Sequence, residues 1–188
     1  MLKLLMSSGI LLLLLLSSSC NDEVKLIQTW TYDEALFNQM EAEWNDKKFD
    51  NYSFKYSVSD VIPDAVTGIV TVTDGTGSVE LSVNGLNSDD EGYEEELNRY
   101  AKRNIRIAFT SIDELYSYIN SVVYKRLQDY ESKVLIIYDL RIAYDNDNPV
   151  PSLIEETLFY KDDFIDENKN GIWDGELYIK IEDFCIGE

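Results

Sequence analysis

Val134-Leu135-Ile136-Ile137-Tyr138-Asp139-Leu140-Arg141-Ile142-Ala143-Tyr144 is the longest run of strand-forming residues in the chain. One parity carries Val134, Ile136, Tyr138, Leu140, Ile142 and Tyr144, and the other Leu135, Ile137, Asp139, Arg141 and Ala143. The first half is thus apolar on both faces. A strand covered on both sides belongs inside a sheet, so this run is expected at a central position.

On its C-terminal side, residues 146–151 turn the chain and residues 153–160 run back. Residues 176–184 supply a last strand through Leu177, Ile179 and Ile181. On its N-terminal side, Ser111 and Glu114 are spaced as a capping box, and Ile112, Leu115, Ile119 and Val122 recur at helical spacing to about residue 129. Residues 84–96 are polar and strongly acidic, which predicts a solvated loop leading into a short helix over residues 93–103.

Further back, residues 69–73 and the alternating Val79, Leu81 and Val83 flank Asp74-Gly75, a hairpin whose glycine supplies the positive φ of the turn. Tyr52, Phe54, Tyr56 and Val58 alternate with Ser53, Lys55 and Ser57 as a half-buried strand. Thr31 and Glu34 predict the start of a first helix, with Leu36, Phe37, Met40 and Trp44 on one face. Strands separated by turns and long helices, without regular β-α-β alternation, predict an α+β domain over residues 30–188. Its expected form is an antiparallel sheet of about five or six strands, with two or three helices packed on one face.

Ahead of that domain, residues 1–19 have the order of a signal peptide: Lys3, an apolar core densest over residues 10–16, then Ser17-Ser18-Ser19 and Cys20. The apolar stretch is broken by Ser7, Ser8 and Gly9 and is short for a membrane span, which needs about 20 apolar residues. Cys20 stands where a bacterial lipoprotein signal places the cysteine that is acylated. Lipidation at Cys20 is therefore expected, with residues 20–29 as a tether and a bacterial membrane as the partner reached through the anchor. Ser17 and Ser19 also satisfy the small-x-small rule, which leaves ordinary cleavage after Ser19 as the alternative. Either route leads to the cell envelope, in the periplasm or on the surface.

The formal net charge is −20. Such a chain repels phosphate backbones, so nucleic acid is not expected as a partner. There is no histidine, which removes Ser-His-Asp hydrolysis, Cys-His proteolysis and the common histidine-liganded zinc sites. Cys185 is expected as a small half-buried hydrophobe after Phe184. The 13 tyrosines fall mostly on strand and helix faces that packing explains. These features predict a membrane-anchored, non-enzymatic binding or interaction module. The alternatives are a structural surface-coat lipoprotein and, with 36 acids available, a carboxylate-pair hydrolase.

The sharpest local motif is Asp166-Glu167-Asn168-Lys169-Asn170-Gly171-Ile172-Trp173-Asp174-Gly175-Glu176. It follows the D-x-[DN]-x-[DN]-G pattern, in which oxygens of Asp166, Asn168 and Asn170 converge on one calcium ion, Gly171 permits the sharp turn, Ile172 offers its carbonyl and Asp174 adds a ligand. The final acid of such loops belongs at Leu177 and stands one residue early, as Glu176. A weak extracellular-type calcium site is expected, with an ion-free turn as the alternative.

Several short signatures occur in one order: the helix tryptophan with Tyr52-Ser53-Phe54, Val70-Thr71-Val72-Thr73-Asp74-Gly75, Ser111-Ile112-Asp113-Glu114-Leu115, and Tyr144-Asp145 with Pro151 and Ile154. That order resembles a widespread bacterial family of secreted lipoproteins of unknown function. The resemblance spans residues 30–184 and implies a single α+β domain. It implies no activity and no catalytic residues. The family's Gly-Tyr before the proline is replaced here by Pro149-Val150.

Calcium held by the native loop alone raises stability by about 2.7 kcal/mol at 100 times its dissociation constant. At that calcium excess thermal unfolding is therefore expected to shift upward by roughly 5–10 °C, with magnesium doing less. Asp166→Ala or Asp174→Ala should remove most of the shift, and an unchanged wild-type melting temperature would reduce the loop to a turn.

Overall fold

A computed structural model describes residues 28–47, 49–59, 66–102, 105–160 and 175–187. In chain order the elements are β1 (Thr29–Thr31), α1 (Glu34–Lys47), β2 (Tyr52–Ser59), β3 (Val66–Thr73), β4 (Thr76–Val83), β5 (Leu86–Asn87), α2 (Tyr93–Lys102), α3 (Ile112–Glu131), β6 (Leu135–Tyr144), β7 (Pro151–Tyr160) and β8 (Gly175–Ile186). The strands form one sheet in the order β1-β6-β7-β8-β2-β3-β4-β5.

The class is α+β, but among the described residues the sheet has eight strands and is mixed, in place of the expected five or six antiparallel ones. The six long strands are those that the alternating pattern marks. The other two, β1 with three residues and β5 with two, sit at opposite edges and are too short to display a period of two. β1 also supplies the parallel pairing, with Thr29 opposite Ile137 and Thr31 opposite Asp139. β6 consequently lies next to an edge, while β8 and β2 occupy the centre. Its apolar residues on both parities have another cause. The register shifts between Leu135 and Ile137, and Leu135 and Tyr138, of opposite parity, are both buried.

α1 is capped by Asp33 and not by Thr31, which is the last residue of β1. The Asp33 carboxylate accepts the Leu36 N–H at 3.0 Å. The Ser111 cap is as expected, its Oγ accepting the Glu114 N–H at 3.1 Å, while Glu114 Oε2 reaches one residue further back to the Thr110 N–H at 2.9 Å. Asp74 and Gly75 both have positive φ, the form that suits a two-residue hairpin. Asn84 and Gly85 repeat it and create the β4-β5 hairpin inside the segment read as acidic loop. Among the described residues no helix is long and apolar enough to cross a membrane.

The core lies between one face of the sheet and the helices, with Tyr52, Phe54, Tyr56 and Val58 of β2 buried against it. Residues 105–111 connect α2 to α3 across this face without regular structure, burying Ile105, Ile107 and Phe109. Buried irregular backbone must find hydrogen-bond partners. Tyr56 supplies two, its Oη donating to the Ile107 carbonyl at 2.7 Å and accepting the Phe109 N–H at 3.2 Å. Tyr52 Oη accepts the Ile112 N–H at 3.1 Å.

Two glycines make the room. Gly68 pairs with Tyr56 across the sheet, and a Cβ there would lie 2.3 Å from the tyrosine ring. At Gly77 a Cβ would lie 1.8 Å from the Thr110 carbonyl oxygen, a backbone atom that cannot rotate away. Gly77→Ala should cost about 3 kcal/mol in urea unfolding, the upper end of the overpacking range. Gly85→Ala, where φ is positive but the space is open, should cost about 1–2 kcal/mol. Equal costs would mean that the close approach at Gly77 is not a constraint.

Candidate functional site

β1 stops at Thr31 because Asp33 turns the chain into α1. β6 runs on to Tyr144, and among the described residues it has no strand on the β1 side after Asp139. Between the start of α1 and this uncovered edge lies a cleft of about 260 Å³. Tyr32, Leu36 and Phe37 form one wall, and Leu140, Ile142 and Tyr144 the other. Leu36, expected on the packed face of its helix, is instead partly exposed at this opening.

The polar groups of the cleft are unevenly satisfied. Tyr144 Oη is buried and has no hydrogen-bond partner among the described residues. Burial, then the negative charges of Asp33 and Glu41, push its phenol up, so it is neutral and able to donate at physiological pH. The Tyr32 phenol is raised in the same way, by burial first, then by Tyr144 and by Glu34, Glu41 and Asp33. Among the described residues Arg141 is the one cation in the lining, and it donates to Asp139 from Nε at 3.3 Å and Nη2 at 2.6 Å.

Arg141 also borders a second depression of about 260 Å³ on the opposite face of the sheet. Its other walls are Asp139, Glu155, Thr157, Glu176 and Tyr178. Arg141 stands opposite Glu155 and Glu155 opposite Tyr178, while Thr157 stands opposite Glu176. This face is polar, as the solvated face of an antiparallel sheet usually is.

Glu176, expected as a calcium ligand, is exposed near the start of β8 and accepts the Tyr178 hydroxyl at 2.7 Å. Asp166, Asn168, Asn170, Ile172 and Asp174 lie outside the described residues, as does Cys20. Among the described residues no group of three or more histidine, cysteine or acidic side chains is arranged to hold a metal ion. Cys185 is exposed and not half-buried. The positive φ of Asp183 accompanies a register shift that leaves Phe184 packed against Trp44 and Tyr52, with Cys185 outside.

The cleft was not legible in the sequence. Its walls come from the β1-α1 junction and from β6, about a hundred residues apart, and no linear motif joins them. Fold and site define a one-sheet α+β protein with a cleft beside an uncovered strand edge. Residues 36–149 match a family described as a family of unknown function (DUF6174), and the chain belongs to that family. The match spans Leu36, Phe37 and the β6 wall and stops before the segment that holds the calcium-loop motif. No curated protein and no solved structure matches the chain.

A buried ionic network lies elsewhere, between α3 and β7. Arg126 donates from Nε to Glu156 Oε1 at 3.2 Å and from Nη1 to Tyr160 Oη at 2.9 Å, and Tyr160 in turn donates to Asp129 at 2.9 Å. The side chain of Glu156 is only 4% exposed. Burial pushes its carboxyl up, and Arg126 opposes the rise without cancelling it. Glu156 faces the core from within β7, so the network is read as a tie between helix and sheet.

A carboxyl whose native pKa exceeds its unfolded value stabilises the fold below the unfolded pKa. It loses that contribution as pH rises through the native one. Arg126→Met removes the opposing charge, so Glu156 rises further and the loss with pH deepens. Urea unfolding should show a deficit of about 3–5 kcal/mol near neutral pH, shrinking toward about pH 5. A deficit that grows on acidification would contradict the assigned direction.

Proposed function

We propose that this protein is a lipid-anchored envelope lipoprotein that binds a partner without chemical turnover. In this reading Cys20 carries the lipid, and residues 166–176 hold a weak structural calcium ion. The observation that carries the binding role is the cleft beside β6, which combines apolar walls with a buried tyrosine hydroxyl that nothing in the described fold satisfies. Ligand sites have that character, mostly apolar with a few convergent polar groups. The signal pattern that ends at Cys20 supports the anchor.

A carboxylate-pair hydrolase is the second reading, favoured by Asp139, Glu155 and Glu176 in the polar depression. Reproducible cleavage of a sugar library by the wild-type protein, lost in Glu155→Gln, would replace the binding reading. A surface-coat role predicts high copy number and no discrete ligand.

Cys20→Ala should release the protein from the membrane fraction or leave an unprocessed precursor, and labelling with a fatty-acid analogue should vanish. A wild-type protein that takes up no label and fractionates away from the membrane would assign ordinary cleavage after Ser19.

A further inference from the structure

The uncovered edge of β6 and the cleft beside it occupy the same place, and each explains the other. Beyond Asp139, residues 140–143 pair among the described residues with β7 on one side only, until a register shift between Ala143 and Tyr144 ends the regular edge. Backbone groups on the open side of such a strand are a template for another strand. Natural edges are commonly covered or loaded with lysine. Here the one basic residue of the segment, Arg141, is already bound to Asp139.

We propose that residues 140–143 are a docking site for an extended segment of a partner protein. The segment adds to the sheet in line with β1 and places a lysine or arginine in the cleft between α1 and β6. This rests on the binding-module reading and names the partner's chemistry.

Three observations select that occupant. The cleft lies where a strand continuing from β1 would run, and Leu36, Phe37 and Ile142 offer it an apolar wall. A long basic side chain buries its stem on such a wall and keeps its charge at the rim. The rim charge is acidic: Asp33 lines the cleft, and Glu34 and Glu41 act with it on the Tyr32 phenol. Tyr144 Oη, buried and without a partner among the described residues, is a donor for a peptide carbonyl. Strand addition derives affinity from main-chain hydrogen bonds and specificity from pockets that take alternate side chains. An overall charge of −20 draws a basic segment and repels an acidic one.

The test is a fluorescence-anisotropy titration of the full chain in detergent with a labelled peptide alternating valine and lysine. Binding is expected, and a valine-glutamate peptide should bind at least about tenfold more weakly. N-methylation of the valine amides and of the lysine amides blocks opposite edges of the peptide, so one pattern should abolish binding and the other spare it. Tyr144→Phe should weaken binding about five- to tenfold, one hydrogen bond's worth, with an unchanged melting temperature. Asp33→Asn should weaken the lysine peptide selectively.

Absence of peptide binding, equal effects of the two N-methyl patterns, or wild-type affinity in Tyr144→Phe would each overturn the proposal. Sedimentation showing a dimer that Tyr144→Phe dissociates would assign the edge to a second copy instead. Photo-crosslinking of the full chain in its membranes separates the two levels of the argument. A discrete partner captured equally by wild type and Tyr144→Phe sinks the edge and leaves the binding module standing. Capture of none sinks the module.

Discussion

The molecule is organised around a stretch of buried backbone that has no secondary structure of its own. Residues 105–111 cross the core face with Ile105, Ile107 and Phe109 buried, and a buried backbone group left unpaired costs roughly 1–3 kcal/mol. Tyr56 answers two of them through one hydroxyl, and burial holds its phenol up at about 12, so it remains a donor across the physiological range. Tyr52 answers one of the orphan N–H groups at the start of α3. The position of α3 therefore depends on two tyrosines of β2. With it go Tyr116, whose hydroxyl donates to the Pro149 carbonyl at 2.7 Å, and Arg126, which reaches Glu156.

That arrangement explains what could be read beforehand and what could not. Tyr52, Phe54, Tyr56 and Val58 show their common face because eight consecutive residues display a period of two. Ser111 shows its cap because the capping box is local. β1 and β5 show nothing: three residues or two contain no period, and their pairing is fixed by elements far away in the chain. The bulge near Ile136 mixes the parities of β6, so that a strand beside an edge resembles one at the centre. Asn84-Gly85 is a hairpin signal, but the strand behind it, β5, has only two residues and runs at once into acidic sequence, so no alternation follows the turn. The cleft could not be read at all, since its two walls meet only where β1 stops short and α1 departs.

The two edges of the sheet are finished differently. On the far side, β5 pairs with the end of β4 through Ser82 and Val83, and the Thr110 backbone presses on Gly77. That approach requires a strand with no side chain at the contact. On the near side, β1 covers β6 through Asp139 and then gives way to the cleft. An edge left open beside an apolar cavity is a hazard for self-association, since a second copy offers an identical edge.

The charge distribution meets that hazard. Two copies docked through β6 would bring the acidic mouths of the two clefts, each lined by Asp33, toward one another. The screening length at physiological salt is about 8 Å, so at contact distances the repulsion is only partly screened. Arg141 gives little relief, being bound to Asp139 of its own chain. Net charge alone would repel at long range and fade in salt, whereas acids at the mouth of the cleft act where the strands would meet. The same acids that exclude a second copy favour a basic strand, so one electrostatic feature keeps the edge free and selects what fills it.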